Sequence, residues 1–303
     1  MPQDKPIELA DTSDGAITHA INNFTRKQIE NTPQDNYIAR ASSAGKCSRQ
    51  LWYKRNGEKS EPMEPRVKNL FRTGHLTEIV LLNDMLESCV GPGKPYKALN
   101  CGEVDGEIEI GGIKYKTFKQ LEWSFKLVSG HTVTAHPDAI AQLHSGEWEL
   151  IDAKTYSSFG FMRFEKMETP AIEAVEDYKY QAHALMNCDE ARELKIKRFR
   201  FVGIRKDTSH LADRLIHFDY KILDHLITGY LEALMDKTPK RSYEPEPEMT
   251  GRKPNKKHTG RYKLGWRCSY CPYTGKCWPD VKIEFKSGKP IHIVEDVSEV
   301  SNG

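Results

Sequence analysis

The spacing of the cysteines constrains this chain more than any other feature. Three of them form the array Cys268-x2-Cys271-x5-Cys277 near the C-terminus, and Cys47 stands alone more than two hundred residues upstream. Three clustered thiolates leave a tetrahedral site one ligand short, so a fourth ligand must come from elsewhere in the fold. Four thiolates suit either an iron–sulfur cluster or a structural zinc ion.

Composition limits the classes of protein that this chain can belong to. Its 303 residues carry 45 Lys and Arg against 43 Asp and Glu, which excludes a histone-like polycation but permits a local basic patch. A mean hydropathy of −0.66 and the absence of a long apolar run indicate a soluble protein without a membrane span. The polar N-terminus lacks the apolar stretch of a signal peptide, so we expect a cytoplasmic protein with reduced thiols. Cys89, Cys101 and Cys188 have no partner at ligand spacing and are interpreted as ordinary thiols.

Apolar periodicity predicts a single α/β domain over residues 36–280, after a polar helical lead-in over 1–35. Four short apolar segments read as a β-meander ending in a central strand, namely 121–128, 131–136, 138–143 and 147–154. Further helices and strands are predicted at 67–86, 171–187, 198–205, 212–219 and 220–236. Residues 237–263 are rich in Pro, Gly and charge and are predicted to form a basic loop. Residues 281–303 are predicted to form a hairpin followed by a disordered tail.

Two aspartates and a lysine form the motif with the most chemical content. Pro137-Asp138 precedes Asp152-Ala153-Lys154, and strand residues two apart share a face, so Asp152 and Lys154 project together. A hairpin would bring Asp138 alongside them. Converging carboxylates bind a hard cation such as Mg²⁺ or Mn²⁺, and a neighbouring ammonium can hold or deprotonate an attacking water. An Asp-x-Lys tripeptide on its own is also typical of a surface ion pair.

A second pair of candidate ligands precedes the meander. In Gly74-His75-Leu76-Thr77-Glu78, the histidine and the glutamate are three residues apart and share one face of a helix. Such a helix could deliver His75, Glu78 or both to the same metal, and the sequence leaves open which of them is the ligand.

Together these motifs resemble the PD-(D/E)XK nucleases, and more narrowly the RecB-like exonucleases with an iron–sulfur cluster. That group includes the CRISPR-associated Fe–S exonuclease, the AddB nuclease domain and stand-alone phage exonucleases. The matched segments occur in the family's order and span about residues 41–278: Cys47-Ser48-Arg49-Gln50-Leu51-Trp52-Tyr53, Gly74-His75-x2-Glu78, Pro137-Asp138, Asp152-Ala153-Lys154 and Cys268-x2-Cys271-Pro272-Tyr273-x3-Cys277-Trp278.

The resemblance implies a mixed central sheet flanked by helices, with the N- and C-terminal segments joined by a four-cysteine [4Fe–4S] cluster. Its implied cluster ligands are Cys47, Cys268, Cys271 and Cys277. It also implies a metal held by His75, Asp138, Asp152 and the carbonyl of Ala153, with Lys154 catalytic.

Two positions depart from the family's pattern. Asp152 stands where glutamate is more frequent, although aspartate is tolerated in the superfamily. The family's Gln-x3-Tyr motif falls on Gln181 and Leu185, which leaves Gln181 as a candidate for positioning DNA but removes the tyrosine.

The function that the resemblance implies is Mg²⁺- or Mn²⁺-dependent exonucleolytic hydrolysis of DNA, in phage-type recombination or repair beside a single-strand annealing protein. A CRISPR-adaptation nuclease and a non-catalytic zinc-ribbon DNA-binding protein remain alternatives. The basic stretch before the cysteine array, with Lys256, Lys257 and Arg261, is predicted to follow the DNA backbone. His136-Pro137-Asp138 also spells the J-domain tripeptide, but its flanks are β-patterned, and no P-loop motif for an ATP-driven motor is present.

Overall fold

The computed structural model of the protein describes residues 16–30, 39–166, 173–251, 257–286 and 289–294. Within these ranges, no helix combines the length and the apolar character that crossing a bilayer requires. The fold is mixed α/β, with several sheets and flanking helices.

A five-stranded mixed sheet forms the centre of the molecule, in the order β10-β9-β8-β7-β2. Its strands are β2 (Tyr96–Asn100), β7 (Ala139–Leu143), β8 (Trp148–Tyr156), β9 (Arg198–Arg205) and β10 (Leu211–His217). The middle strand β8 pairs antiparallel with β7 and parallel with β9. Leu150 and Ile151 on this strand are fully buried, because helices cover both faces of the sheet. The predicted strands in this region and the mixed central sheet are confirmed.

Helices cover the two faces of this sheet with different residues. On one face, Leu81 and Leu82 of α3 (Pro65–Cys89) share a buried cluster with Ile151. On the other face, buried residues of α5 (Glu173–Met186) and α7 (Tyr220–Ala233) surround Leu150, with Leu185 and Leu226 among them. Ile151 and Ala153 of β8 therefore face α3, whereas Leu150 and Asp152 face α5.

The predicted continuous meander is wrong at one point. Strands β5 (Trp123–Lys126) and β6 (Thr132–Ala135) pair with each other, but they join β1 (Ala39–Arg40) in a separate three-stranded sheet. The break between β6 and β7 falls at Pro137, which has no backbone N–H to donate to a continuing ladder. The chain therefore changes sheets directly before Asp138.

A two-stranded hairpin follows the central sheet's β2 and was not predicted. It comprises β3 (Val104–Ile110) and β4 (Ile113–Phe118), which pair antiparallel. Gly111 and Gly112 form the turn with φ of 60° and 80°, which is the positive-φ pair that a tight hairpin turn requires. Asn83 of α3 anchors the hairpin, because its side chain donates to Lys116 O at 2.9 Å and accepts from Lys116 N at 3.0 Å.

The predicted basic loop over 237–263 instead contains two strands of a further antiparallel sheet. This sheet has the order β11-β12-β14-β13, built from β11 (Glu246–Thr250), β12 (Lys257–Lys263), β13 (Lys282–Lys286) and β14 (Lys289–Val294). Strand pairing here is stabilised by cross-strand charges, since Arg261 pairs with Glu248 at 2.9 Å and with Glu284 at 2.6 Å. Strands β13 and β14 pair antiparallel in the region of the predicted C-terminal hairpin, and the tail after them lies outside the described residues.

The remaining helices are short or peripheral. They are α1 (Ala16–Glu30), α2 (Ser48–Arg55), α4 (Ser158–Glu165), α6 (Asp189–Glu193), α8 (Trp266–Ser269) and α9 (Thr274–Cys277). The lead-in is thus helical over α1, and its other residues lie outside the described ranges.

Candidate active site

Asp138 is fixed against the central strand by a backbone hydrogen bond. It directly precedes β7, and the register that pairs Ala139 with Ile151 places it beside the middle of β8. Its Oδ2 accepts the N–H of Ala153 at 2.8 Å. The hairpin between β7 and β8 therefore brings the two predicted aspartates together, although thirteen residues separate them in sequence.

Asp152 lies between a cation and an amide. Its side chain is only 2% exposed, and Lys154 Nζ lies 2.6 Å from Oδ2. On its other side, Gln181 of α5 donates from Nε2 to Oδ1 at 3.1 Å. Oδ2 has the ammonium as its polar partner but makes no well-aligned hydrogen bond within the described residues, so it retains capacity for a further cation.

Glu78 approaches the aspartates from α3, the helix on the sheet face opposite α5. The pKa of Glu78 is raised, first by burial and then by the negative charge of Asp152, whereas the neighbouring His75 lowers it. His75 itself is exposed, one turn before Glu78 on α3. Gly74 lies against β8, since a Cβ there would meet Thr155 Oγ1 at 3.5 Å, an ordinary van der Waals contact. The structure thus brings Glu78 to the carboxylate pair and leaves His75 beside it, at the solvent.

The carboxylates of this site are concentrated in a region of low solvent access. Burial raises the pKa of Asp138 well above its usual range, and the charges of Asp152 and Glu78 raise it further. Burial also raises the pKa of Asp152, while Lys154 opposes that effect. Burial alone would lower the pKa of Lys154, but the charges of Asp152 and Asp138 outweigh it and raise the pKa. One ammonium therefore faces more than one carboxylate, an excess of negative charge that a divalent cation would balance.

Tyr178 is a site residue that the sequence motif did not reveal. It lies three residues before Gln181 on the same face of α5, and its ring packs edge-on against Tyr156 of β8 with centroids 6.1 Å apart. Burial raises its pKa, and the charges of Lys154 and Asp152 act on it. Leu185, where the family has tyrosine, is fully buried in the core. Helical periodicity counted backward from Gln181 could have identified Tyr178.

The four predicted cluster cysteines lie near one another. Cys47 is the N-terminal cap of α2, and the other three flank or belong to α8 and α9. Burial and then the charges of Cys47, Cys277 and Cys271 raise the pKa of Cys268 to about 12. Burial also raises the pKa of Cys271 to about 11, with Cys47 and Cys277 contributing.

Contacts between the two chain segments hold these thiols in place. The N–H of Glu61 donates to Pro272 O at 2.7 Å, and Gly275 N donates to Glu61 Oε1 at 3.1 Å. The rings of Tyr53 and Tyr273 also meet, with centroids 5.5 Å apart. The N-terminal segment that follows Cys47 therefore packs directly against the C-terminal cysteine array.

Donors around the cysteines were not identified from the sequence. Ser242 Oγ donates to Cys47 Sγ at 3.2 Å, and Arg49 Nη1 lies 3.9 Å from Cys277 Sγ. Arg241 donates to the carbonyl of Cys277 at 2.7 Å. Hydrogen bonds and positive charges of this kind are typical of the surroundings that orient sulfur ligands of a metal centre.

The predicted DNA-binding residues before the cysteine array are only partly described. Lys257 is exposed at the start of β12, and Arg261 is engaged by the two glutamates described above. Lys256 lies outside the described residues.

Three thiols were predicted to lie outside the cluster. Of these, Cys101 and Cys188 are buried and Cys89 is half-buried.

Both centres have donors suited to the groups predicted for them. Across the described ranges, no three or more His, Cys, Asp or Glu side chains are already arranged as a metal-binding group. The donor chemistry nevertheless fits: buried carboxylates with uncompensated charge suit a hard divalent cation, and four neighbouring thiols suit iron–sulfur or zinc.

No protein-family model matches the chain, and no curated protein matches it. Among solved structures, the chain is similar to the crystal structure of SSO0001, with 13% identity and a TM-score of 0.42, covering 86% of this chain and 96% of that one. It is also similar to LHK-Exo in complex with dAMP, with 18% identity, a TM-score of 0.27 and coverage of 38% of this chain and 55% of that one. A second structure of this alkaline exonuclease, from Laribacter hongkongensis, gives 18% identity, a TM-score of 0.26 and coverage of 37% and 56%. The chain thus spans little more than half the length of LHK-Exo.

Proposed function

We propose that this protein is a metal-dependent DNA nuclease that hydrolyses phosphodiester bonds at DNA ends. The observation that carries the proposal is the convergence of Asp138, Asp152 and Lys154 at the middle of β8, with Gln181 holding Asp152. The sequence order of these residues resembles the RecB-like exonucleases, and an exonuclease rather than an endonuclease follows from that resemblance.

A divalent cation, Mg²⁺ or Mn²⁺, would be held by Asp138, Asp152 and Glu78, with His75 and the carbonyl of Ala153 as further candidate ligands. When bound, it would polarise the phosphoryl oxygen and lower the pKa of the attacking water. The three carboxylates supply oxygen donors of the type that these cations prefer.

The protein's own side chains would orient the reactants. The Lys154 ammonium lies beside Asp152, so it can hold the attacking water and offset the negative charge that develops on the phosphate. Gln181 fixes the rotamer of Asp152 by hydrogen bonding to Oδ1, which leaves Oδ2 directed toward the lysine. Tyr178 is buried close enough for the charges of Lys154 and Asp152 to act on it, and its ring would limit the access of bulk water.

The cysteines would form a structural centre, and we propose a [4Fe–4S] cluster held by Cys47, Cys268, Cys271 and Cys277. The proximity of the four thiols supports this assignment, as do the donors supplied by Ser242. Zinc is the alternative occupant. In this proposal the enzyme acts in the cytoplasm and resects DNA for an annealing protein.

The test uses end-labelled linear duplex and covalently closed circular DNA, each incubated with Mg²⁺, Mn²⁺ or chelator. We expect linear DNA to be degraded to short products in either metal, and circles and chelated samples to remain intact. Asp152→Asn and Lys154→Ala should each reduce the cleavage rate by about 10²- to 10³-fold, a typical loss for an essential electrostatic group.

A matched control is Glu147→Gln, since Glu147 is an exposed carboxylate at the far end of the β7–β8 hairpin. This variant should cleave at the parent rate. Full activity in Asp152→Asn would overturn the catalytic assignment. Rapid cleavage of closed circles would show that the enzyme is an endonuclease and not an exonuclease.

A further inference from the structure

A cavity of about 310 Å³ lies beside α5, where Tyr180 lines it. Its walls come from the turn before α2, from α5, from α7 and from the segment before the cysteine array. This volume is at the lower end of the range for small-molecule sites, roughly 300 to 1,000 Å³.

The cavity is separate from the space between the cysteine thiols. Cys47 lines it, but Cys268, Cys271 and Cys277 do not. The cavity instead extends from Lys46 toward His225 on α7.

The lining combines positive charge with an aromatic surface. Lys46 and Arg267 both border the cavity, and Arg267 is held in place by Asp177 at 2.8 Å and by Tyr243 Oη at 2.8 Å. Tyr180 and His225 form a stacked pair, with ring centroids 5.4 Å apart and planes inclined by 25°. The lining carboxylate, Glu232, already accepts a hydrogen bond from Ser48 Oγ at 2.7 Å.

Helix α5 connects this cavity directly to the candidate active site. Tyr180 lines the cavity, and the next residue, Gln181, bonds Asp152. Because consecutive residues of a helix point about 100° apart, adjoining faces of α5 border the two sites. A DNA strand at the active site could therefore continue along this helix to the cavity.

We propose that this cavity binds one nucleotide of a DNA strand, with Lys46 and Arg267 facing its phosphate and the Tyr180–His225 pair facing its base. Stacking on an aromatic surface together with backbone charge neutralisation is the usual means of holding single-stranded DNA without sequence preference. The inference rests on the proposed function only in taking DNA as the ligand.

The test measures binding of a fluorescent ten-nucleotide single strand by anisotropy, in chelator and at several salt concentrations. Gly229 lines the cavity on α7, and an added Cβ would meet no atom within 4 Å, so Gly229→Phe would fill the cavity without a backbone clash. We expect Gly229→Phe to weaken binding about tenfold. Lys46→Gln should weaken binding about fivefold and make the slope of log affinity against log salt shallower by about 0.7, the value for one single-strand phosphate contact.

Two control variants separate these effects from general damage. Gly229→Ala leaves most of the cavity open, and Lys221→Gln removes one exposed charge from α7 outside the cavity. Both should bind like the parent protein, and thermal unfolding should show that all four variants are folded. Parent-like binding by a folded Gly229→Phe or Lys46→Gln would overturn the proposal. Because the assay requires no metal and no cleavage, its result is independent of whether the protein proves to be a nuclease.

Discussion

Asp138 occupies a position where its negative charge costs free energy of folding. Its carboxylate is buried near Asp152 and Glu78, and both charges raise its pKa in addition to the effect of burial. The N–H of Ala153 and the Lys154 ammonium compensate only in part. Natural proteins retain such unfavourable groups where function requires them, so the cost itself supports a functional role for the cluster.

This reasoning predicts that Asp138→Asn stabilises the protein while abolishing DNA cleavage. The amide oxygen can still accept the Ala153 N–H, but the repulsion by Asp152 and Glu78 disappears. In chelator, we expect the melting temperature to rise by roughly 2–4 °C, which corresponds to about 1 kcal/mol in a domain of moderate size. Differential scanning calorimetry checks this, with Asp189→Asn on exposed α6 as the control. A lower melting temperature combined with full cleavage would contradict the prediction.

Residue-scale prediction from the sequence succeeded where chemistry is encoded locally. Asp152 and Lys154 were placed on one strand face because the two-residue period of a strand is independent of the rest of the fold. Tyr178 was missed because its role depends on which face of α5 meets β8, and no local pattern specifies that contact. The sequence could not decide between His75 and Glu78 for the same reason. Both lie on one helical face, but only Glu78 is half-buried beside the aspartates.

Strand β8 is the element that organises the site. It also carries a buried ionic network near its N-terminal end. Glu149 is fully buried and accepts from Tyr96 Oη at 2.8 Å, from Arg200 Nε at 2.6 Å and from Arg198 Nε at 3.1 Å. Burial opposes its ionisation, but the hydrogen bonds from Arg200 and Tyr96 outweigh that effect, so the pKa of Glu149 is lowered. The network joins β2, β8 and β9 through side chains as well as through backbone pairing.

The lowered pKa predicts how the contribution of Glu149 to stability depends on pH. The native pKa lies below the unfolded value of about 4.3, so the contribution is complete above that pH and declines as pH falls through the native pKa. Glu149→Gln should therefore lower the free energy of unfolding by about 2–4 kcal/mol at pH 7, because it leaves two arginines without their buried partner. Urea unfolding at pH 7, 5 and 3 measures the difference, which should shrink at pH 3. A difference that does not change with pH would contradict this account.

At the scale of elements, the positions of strands and helices were predicted better than the pairing of strands into sheets. The segments near 121–154 and 198–219 are strands as expected, because alternating apolar residues and turn residues mark them in the sequence. The separation of β6 from β7 into different sheets depends on long-range pairing with β1, which no local pattern encodes. The strands within 237–263 were missed because their side chains are mostly exposed and charged, so they lack the apolar alternation that identifies a strand.

At the scale of the whole molecule, the two ends of the folded region meet at the cysteines. The segment after Cys47 contacts the residues that follow α7 as well as the array, since Arg49 Nε donates to Pro239 O at 2.6 Å and Trp52 Nε1 donates to Met235 O at 3.0 Å. Trp278 packs under Arg241, whose guanidinium lies 4.0 Å from the ring centroid. These contacts bring the two segments that carry the four cysteines together, so the proposed cluster would add a covalent link to an interface that already exists.

A link between Cys47 and Cys268 would close a loop of more than two hundred residues, and this predicts a large effect on stability. Closing a long loop removes chain entropy from the unfolded state, and metal binding by a site absent from that state contributes directly to folding. We expect anaerobically purified protein to be brown with about four iron and four sulfide per chain, and Cys268→Ser to lose the colour and at least 10 °C of melting temperature. Cys89→Ser is the control, because Cys89 lies on α3 away from the array and should retain both. Colourless parent protein with one zinc per chain would assign zinc to the site, and an unchanged melting temperature in Cys268→Ser would show that the interface alone holds the chain ends together.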